Sequence, residues 1–469
     1  MPANTETNPS VSVSNADLGI SSVPAQSSKA RSPWRTPHYA MWFTADTADV
    51  FADALQTFAL PLIAFELSQS KFVAGALTTL SMIVMMVLTP IGGVIVDRHD
   101  RRTLMIGQGL GQLVVGALLA VCVATGTLNL PILVLSVLAP GVISGLLGAS
   151  TDAILRSLIP TDLYAKAQSV REGREAGVGL LSSPISGVLY GLFAWLPMAV
   201  AAVISGVGAI CSCLLPKQGM AGVVDDGMTG NDGADDGTVD AEASAPGDDV
   251  EAANIGSLAS SFACDFAAGW KWSLTRRTLP WIIVFGAVIN VAFAGLETGA
   301  QLMLIARGVS AFNIGLVFTG MGVCSLIGSL IAGRVSDRLA TGHIVMLSSL
   351  LTFACFVPLV FDSGYGTVLV CLSLIGLLLP SLNASLFGFM YGRTSEDMQG
   401  RVSSVFETLV GVFGACAPFA AGWALQYLDG GFTIVAVAAC ALGLAALLIA
   451  ALSPIRDIPT ADRWEEYVL

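Results

Sequence analysis

The sequence predicts an all-α integral membrane protein of twelve transmembrane helices in two pseudo-symmetric six-helix bundles. Three observations predict it. Of 469 residues, 54% are hydrophobic and only 12% charged, whereas a soluble domain carries about 25% charged residues. The apolar residues fall in continuous runs of roughly 20, the length of a spanning helix, not in the short alternating segments of a barrel. Finally, six such runs, a polar linker and six more runs divide the chain in two.

The spans are expected near 39–65, 72–96, 103–126, 130–155, 168–192, 195–215, 279–305, 312–335, 343–361, 366–390, 402–426 and 431–453. In a bilayer each backbone N–H and C=O must be satisfied within its own segment, so continuous apolar runs become helices. Residues 1–38, rich in Ser, Thr, Asn, Ala and Pro, have no basic start followed by an apolar core. They are expected to be a disordered cytoplasmic tail, not a signal peptide. Residues 39–215 form the first bundle, 216–278 an acidic cytoplasmic linker with an amphipathic helix, 279–453 the second bundle, and 454–469 a cytoplasmic tail.

Orientation follows from the cations. Of 22 Lys and Arg, only Lys71 and Arg307 fall outside when both termini are placed in the cytoplasm, as the positive-inside rule requires. This predicts a multi-pass cell (plasma) membrane protein with an even number of spans. The net charge of −12 is concentrated in the linker, where ten acids and one base lie between Lys217 and Phe262. Low hydrophobicity and high charge make that stretch disordered. Phe262, Phe266, Trp270 and Leu274 then recur every fourth residue beside Lys271, Arg276 and Arg277, the pattern of a helix lying on the inner membrane face.

Composition excludes several classes. No basic surface suggests nucleic acid. No Gly-x-x-x-x-Gly-Lys-Ser/Thr loop offers ATP a cradle. Nine cysteines without a CxxC pair are read as packing residues, not metal ligands or disulfides. His38, His99 and His343 all sit at helix ends. No enzyme, metal or cofactor is expected.

The two halves repeat each other. Gly93-Val94-Ile95-Val96-Asp97-Arg98 follows the second span and Gly333-Arg334-Val335-Ser336-Asp337-Arg338 the eighth, with the aspartates 240 positions apart. Pro184 and Gly187 of the fifth span are echoed by Pro418 and Gly422 of the eleventh. Gly93 is expected to let helices pack closely. Asp97 is expected to accept charge-assisted hydrogen bonds from Arg or a helix N-terminus.

These residues resemble the major facilitator superfamily over residues 39–453. The Gly93-x-x-x-Asp97-Arg98-x-x-Arg101-Arg102 loop is similar to its signature between helices two and three, with Asp100 replacing one glycine. The resemblance implies that this loop biases a conformational equilibrium between rocking halves. Gly93, Asp97, Arg98, Arg101, Arg102, Gly333, Asp337 and Arg338 would then form a latch. On the other reading, the arginines are purely topogenic. Gly179-x-x-x-Ser183-Pro184-x-x-Gly187 resembles the antiporter motif of the superfamily's drug exporters, with Ser183 and Val188 replacing glycines. It implies a kinked helix-five gate, with simple packing as the alternative. Arg156–Pro160, Ala167-x-Ser169, and Phe266 with Gly269 and Trp270 resemble the macrolide and siderophore exporter group. The arginine that classical drug–proton antiporters carry deep in helix four is absent; Arg156 lies at that helix's cytoplasmic end.

Asp46, Asp49 and Asp53 share one face of the first span, continued by Gln56. At about 1.5 Å per residue Asp53 lies roughly 20 Å from the start of that helix, near mid-bilayer. Asp46 is read as a helix-start anion at the rim. Asn290, Glu297 and Gln301 share a face of the seventh span. Helices one, four, seven and ten line the cavity in the family, so the resemblance sets the two stripes opposite each other, with Ser381, Asn383 and Ser385 of the tenth nearby. The expected proton-coupling groups are Asp53, then Asp49 and Glu297, because an intramembrane carboxyl is functional by default. Arg171 with Glu175, Asp152 with Arg156, and Glu407 with Arg401 are read as an ion-pair network across the gate, or else a solvated rim.

The expected function is proton-coupled efflux of a hydrophobic or amphipathic small molecule by a monomer, through alternating access. Proton-coupled nutrient uptake, a lipid flippase of the same fold and a non-transporting sensor are the alternatives.

Overall fold

The computed structural model describes residues 32–159, 161–216, 266–361 and 364–467. Most of the predicted N-terminal tail and acidic linker lie outside these residues. Among the described residues no strand occurs. The helices are α1 (Tyr39–Ser68), α2 (Lys71–Arg98), α3 (Arg101–Ala124), α4 (Leu130–Leu147), α5 (Ala149–Leu158), α6 (Thr161–Leu192), α7 (Leu196–Cys213), α8 (266–274), α9 (Leu279–Ala306), α10 (Ala311–Arg338), α11 (Thr341–Phe361), α12 (Tyr365–Gly376), α13 (Leu379–Arg393), α14 (Glu396–Tyr427) and α15 (Gly431–Leu452).

Eleven of the described helical segments are long and apolar enough to cross a membrane. The twelfth span, α6, runs 32 residues, but its charged opening and its Gly, Ser and Pro lower its apolarity. The fourth and tenth spans are interrupted, at Gly148 between α4 and α5 and at Leu377–Leu378 between α12 and α13. In the tenth, Pro380 at the start of α13 has no N–H to return to the preceding turn. Broken helices are tolerated at membrane depth where they border protein or a cavity.

Packing repeats between the halves. In the first, α1 packs on α6 and α7, α3 on α7, and α2 on α4; in the second, α9 packs on α14 and α15, α11 on α15, and α10 on α12. The halves meet through α2 against α14 and α6 against α10, pairs that a two-fold rotation exchanges.

The first and last described residues, Ser32 and Tyr467, lie on one face of the bundle, here the terminal face. One apolar core spans both halves on the opposite, far face, joining Phe58, Leu62 and Leu77 to Leu296, Ile314, Val317 and Leu425. On the terminal face the cores are separate, one built on Tyr39, Trp42 and Leu155 and one on Phe285, Phe389 and Val405. The halves therefore share a core at the far face and none among the described residues at the terminal face.

Small residues make the far seam close. A Cβ on Gly315 of α10 would lie 2.6 Å from the Ser183 carbonyl and 3.0 Å from Pro184 Cα, and one on Gly187 of α6 would lie 2.6 Å from the Ala311 carbonyl. Symmetrically, Gly75 of α2 abuts Pro418, and a Cβ on Gly422 would lie 2.7 Å from the Lys71 carbonyl. Polar links close the rim. The Lys71 backbone N–H donates to Gln426 Oε1 (3.0 Å), Lys71 Nζ to the Leu425 carbonyl (3.2 Å), and the Phe419 N–H to Thr79 Oγ1 (3.0 Å).

Gly315→Val should pry this seam apart. Overpacking costs typically 1–3 kcal/mol, enough to shift a two-state equilibrium by roughly 5- to 150-fold. The expected result is at least about tenfold faster labelling of Phe318→Cys from the far side, with the protein still monodisperse. Unchanged labelling would show that the seam does not set the conformational balance.

The C-terminal segment is docked. The Thr341 and Gly342 N–H groups donate to the Pro459 and Ile458 carbonyls (both 3.1 Å), Trp464 Nε1 donates to Thr341 Oγ1 (3.0 Å), and Arg393 Nη2 donates to the Tyr467 carbonyl (2.8 Å). Ile455 and Ile458 are fully buried.

Candidate functional site

The face of α1 that carries the aspartates resolves into three environments. The 3.6-residue period puts Asp49 about 60° round the helix from Asp46 and about 40° from Asp53. That is enough to give each carboxyl different neighbours.

Asp46 is 4% exposed and is not a rim anion. It pairs with Arg174 of α6, and Arg171 Nε approaches it at 3.8 Å. Arg171 also pairs with Asp152 of α5 and with Glu175 (3.3 Å), and Arg174 Nη2 bonds Glu175 (3.1 Å). Three carboxylates and two guanidinia thus tie α1, α5 and α6 together. Arg174 lies over the Phe43 ring at 5.9 Å. The expected Asp152–Arg156 pair does not form; Asp152 turns to Arg171, and Arg156 is exposed. Glu407 is also exposed, without an ion pair among the described residues.

Asp49 does not join the cavity stripe as expected. Its Oδ2 accepts a hydrogen bond from Gln108 Nε2 of α3. It lines a small cavity inside the first bundle, with Ala45, Met105, Gln108, Gly109, Thr151, Ser205, Gly208 and Ser212. The reason is angular: α7 packs on α1 and α3 on α7, which brings Gln108 of α3 within reach of Asp49.

Asp53 is the exposed member. It has no hydrogen bond or ion pair among the described residues. Five residues further on, Phe58 packs edge-to-face on Phe318 of α10, with centroids 6.0 Å apart, where the halves close. Asp53 therefore stands just on the terminal side of the far closure.

On α9, Glu297 and Gln301 are half-buried and Asn290 is exposed. Leu296 and Ala300, their neighbours, belong to the core shared by both halves. Asn290 Oδ1 sits against Gly414 of α14. In α13 Asn383 is exposed, while Ser381 and Ser385 face inward and Ser385 Oγ lies 3.1 Å from Ser336 Oγ of α10. Among the three polar residues of the tenth span, only Asn383 is open.

The repeated loops are unlatched in this conformation. Asp97, Arg98, Asp337 and Arg338 are exposed, and neither aspartate has a partner among the described residues. Arg101 Nη1 donates to the Ala153 carbonyl (3.0 Å) and Arg102 to the Cys213 carbonyl, both within the first half. The close packing expected of Gly93 belongs to Gly92: a Cβ there would lie 2.7 Å from the Leu146 carbonyl, whereas Gly93 and Gly333 have open space. Helical geometry turns adjacent residues about 100° apart. In the helix-five motif, Ser183, Pro184 and Gly187 form the α10 seam and Gly179 has open space. The seam partners Gly75 and Gly315 were missed, although they stand 240 positions apart, the same offset as the two motif aspartates.

A family model, the Major Facilitator Superfamily, matches residues 47–306 and 280–465. The chain belongs to this superfamily. Macrolide efflux protein A of Streptococcus pyogenes is 20% identical over 386 residues, covering 79% of this chain and 85% of that protein. A D-xylose transporter of Levilactobacillus brevis is 23% identical over 141 residues, only 29% of this chain and 31% of that protein. Among solved structures, a bacterial homologue of the iron transporter ferroportin in an inward-facing state is similar (TM-score 0.61, 14% identity, 88% of this chain and 98% of that one). The nucleoside transporter NupG is similar too (TM-score 0.61, 12% identity, 88% and 99%). The solved structures share the fold with this chain, a multi-pass arrangement of apolar helices.

Proposed function

We propose that this superfamily member is a secondary active exporter exchanging protons for a hydrophobic or amphipathic small molecule. One observation carries the reading. Asp53 is an unpartnered carboxyl midway along α1, placed where the halves part and beside the seam at which they close. A carboxyl there can take a proton on one side and lose it on the other as the opening alternates. Such groups in a membrane mark proton relays and substrate paths. Glu297 of α9 is the second titratable group of the path, and Asn290, Gln301 and Asn383 its polar lining. The extensive similarity to a macrolide efflux protein supports export.

Both termini are assigned to the cytoplasm of a plasma-membrane monomer, so the terminal-face opening is inward. The repeated Gly-x-x-x-Asp-Arg loops on that side would latch when the halves rock together, with Asp97 and Asp337 meeting cationic partners across the gap. Ser183, Pro184 and Gly187 act as the gate at the opposite end.

The test is proton movement in inverted vesicles with an acid interior, challenged with a panel of hydrophobic drugs and dyes. Substrate-triggered dissipation of the gradient is expected. A silent panel with folded protein favours the second reading, nutrient uptake, which the partial likeness to a D-xylose transporter supports. The acidic linker acts only as a tether on this reading. Deleting residues 222–252 should leave transport within about twofold of wild type, and an inactive deletion would refute the tether.

A further inference from the structure

The small cavity beside Asp49 is a site that proton exchange through Asp53 does not use. It lies wholly within the first bundle, between α1, α3, α5 and α7, and its volume is about 10 Å³, room for one water-sized sphere. Gln108 and Ser205, 5% and 1% exposed, line it, and Gln108 Oε1 and Ser205 Oγ are buried without a hydrogen-bond partner. Small residues make the room. Gly208 lies against α1, where a Cβ would come within 3.4 Å of the Ala45 carbonyl, and Gly109 lies against Ala209.

We propose that this cavity binds one small monovalent cation, of sodium size, held by Asp49 and the oxygens of Gln108 and Ser205. Charge balance selects the ion. The nearby arginines are engaged with Asp46, Asp152 and Glu175, and Asp49 is held by a neutral amide. A buried carboxylate without a cation is costly. One carboxylate and neutral oxygens sum to a single negative charge, which a monovalent ion neutralises. Divalent calcium and magnesium are bound by larger oxygen sets, commonly with more than one carboxylate. Among the described residues no group of three His, Cys, Asp or Glu gathers to hold a metal. Nitrogen and thiolate donors, which transition metals favour, do not line the cavity. The position gives the ion leverage, because it bridges α1, which carries Asp46 and Asp53, to α3 and α7.

The test is thermal unfolding of the purified full chain in sodium chloride, potassium chloride or choline chloride at equal ionic strength, with direct binding of radioactive sodium. Sodium is expected to raise Tm saturably, with choline inert. Asp49→Asn should abolish the shift, Ser205→Ala should weaken sodium binding at least about tenfold, and Asp53→Asn should keep the shift. Ser205→Ala decides the matter if Asp49→Asn does not fold. Equal Tm in sodium and choline overturns the site and indicates a protonated Asp49 beside a water; a shift that survives both substitutions overturns it too and places the sodium effect elsewhere. Vesicle assays in choline separate the two readings. Drug-driven proton flux without any sodium shift refutes the cation site alone, whereas a sodium shift without flux refutes the exchanger alone.

Discussion

Asp53→Asn is expected to reduce substrate-driven proton release in inverted vesicles to background, a loss of at least about tenfold, or about 1.4 kcal/mol at the coupling step. Asparagine keeps the shape and polarity of the side chain and removes only its ability to exchange a proton. No ion pair collapses in the variant, since Asp53 has no partner among the described residues, so folding should be little changed. Substrate binding should survive, because an amide still offers a donor and an acceptor. The diagnostic result is therefore retained binding with lost proton coupling. A variant that still dissipates the gradient at the wild-type rate sinks the assignment of Asp53. The same experiment on Glu297→Gln then tests the other half of the path.

The second large effect concerns stability. Arg174→Ala leaves Asp46 buried, with Arg171 at 3.8 Å as its remaining cation. Both members of the Asp46–Arg174 pair have side chains 5% exposed, so solvent does not repair the loss. Removing one partner of a buried pair typically costs about 3–5 kcal/mol. A fall in Tm of many degrees and premature loss of monodispersity are expected. Asp46→Asn combined with Arg174→Gln should recover much of it, because two neutral groups can hydrogen-bond without stranding a charge. If Arg174→Ala unfolds at the wild-type temperature, the network is a solvated rim.

The two experiments probe different layers of one helix. Asp46 fastens α1 to α5 and α6 within a half, whereas Asp53 stands where the halves separate. A rocking transporter needs both: rigid bundles that move as units, and an exchangeable group at the boundary between them. On the proposed mechanism the far-face seam is the gate that opens as the halves rock. Its close approaches are backbone against backbone at Gly187 and Gly315 on one side and at Gly75 and Gly422 on the other. The packing is tight and largely apolar, with few polar bonds to break when the seam opens.

The sequence by itself determined the membrane class, the duplication and the helix count, because long uncharged runs have only one way to satisfy their backbone in lipid. It also marked the intramembrane acids, since a carboxyl stands out in an apolar run. Tertiary structure decided what each acid touches. At spacings of three and four, Asp46, Asp49 and Asp53 share one face in the sequence. Yet a rotation of about 60° separates a side chain facing α6 from one facing α3, and which neighbour stands there is a long-range fact. The same holds for Gly92 against Gly93, where 100° decides which glycine meets another helix. Arg174 reaches Asp46 across 128 positions, beyond the reach of any local pattern, so a helix start that reads as a solvated charge run became the buried fastening of the first bundle.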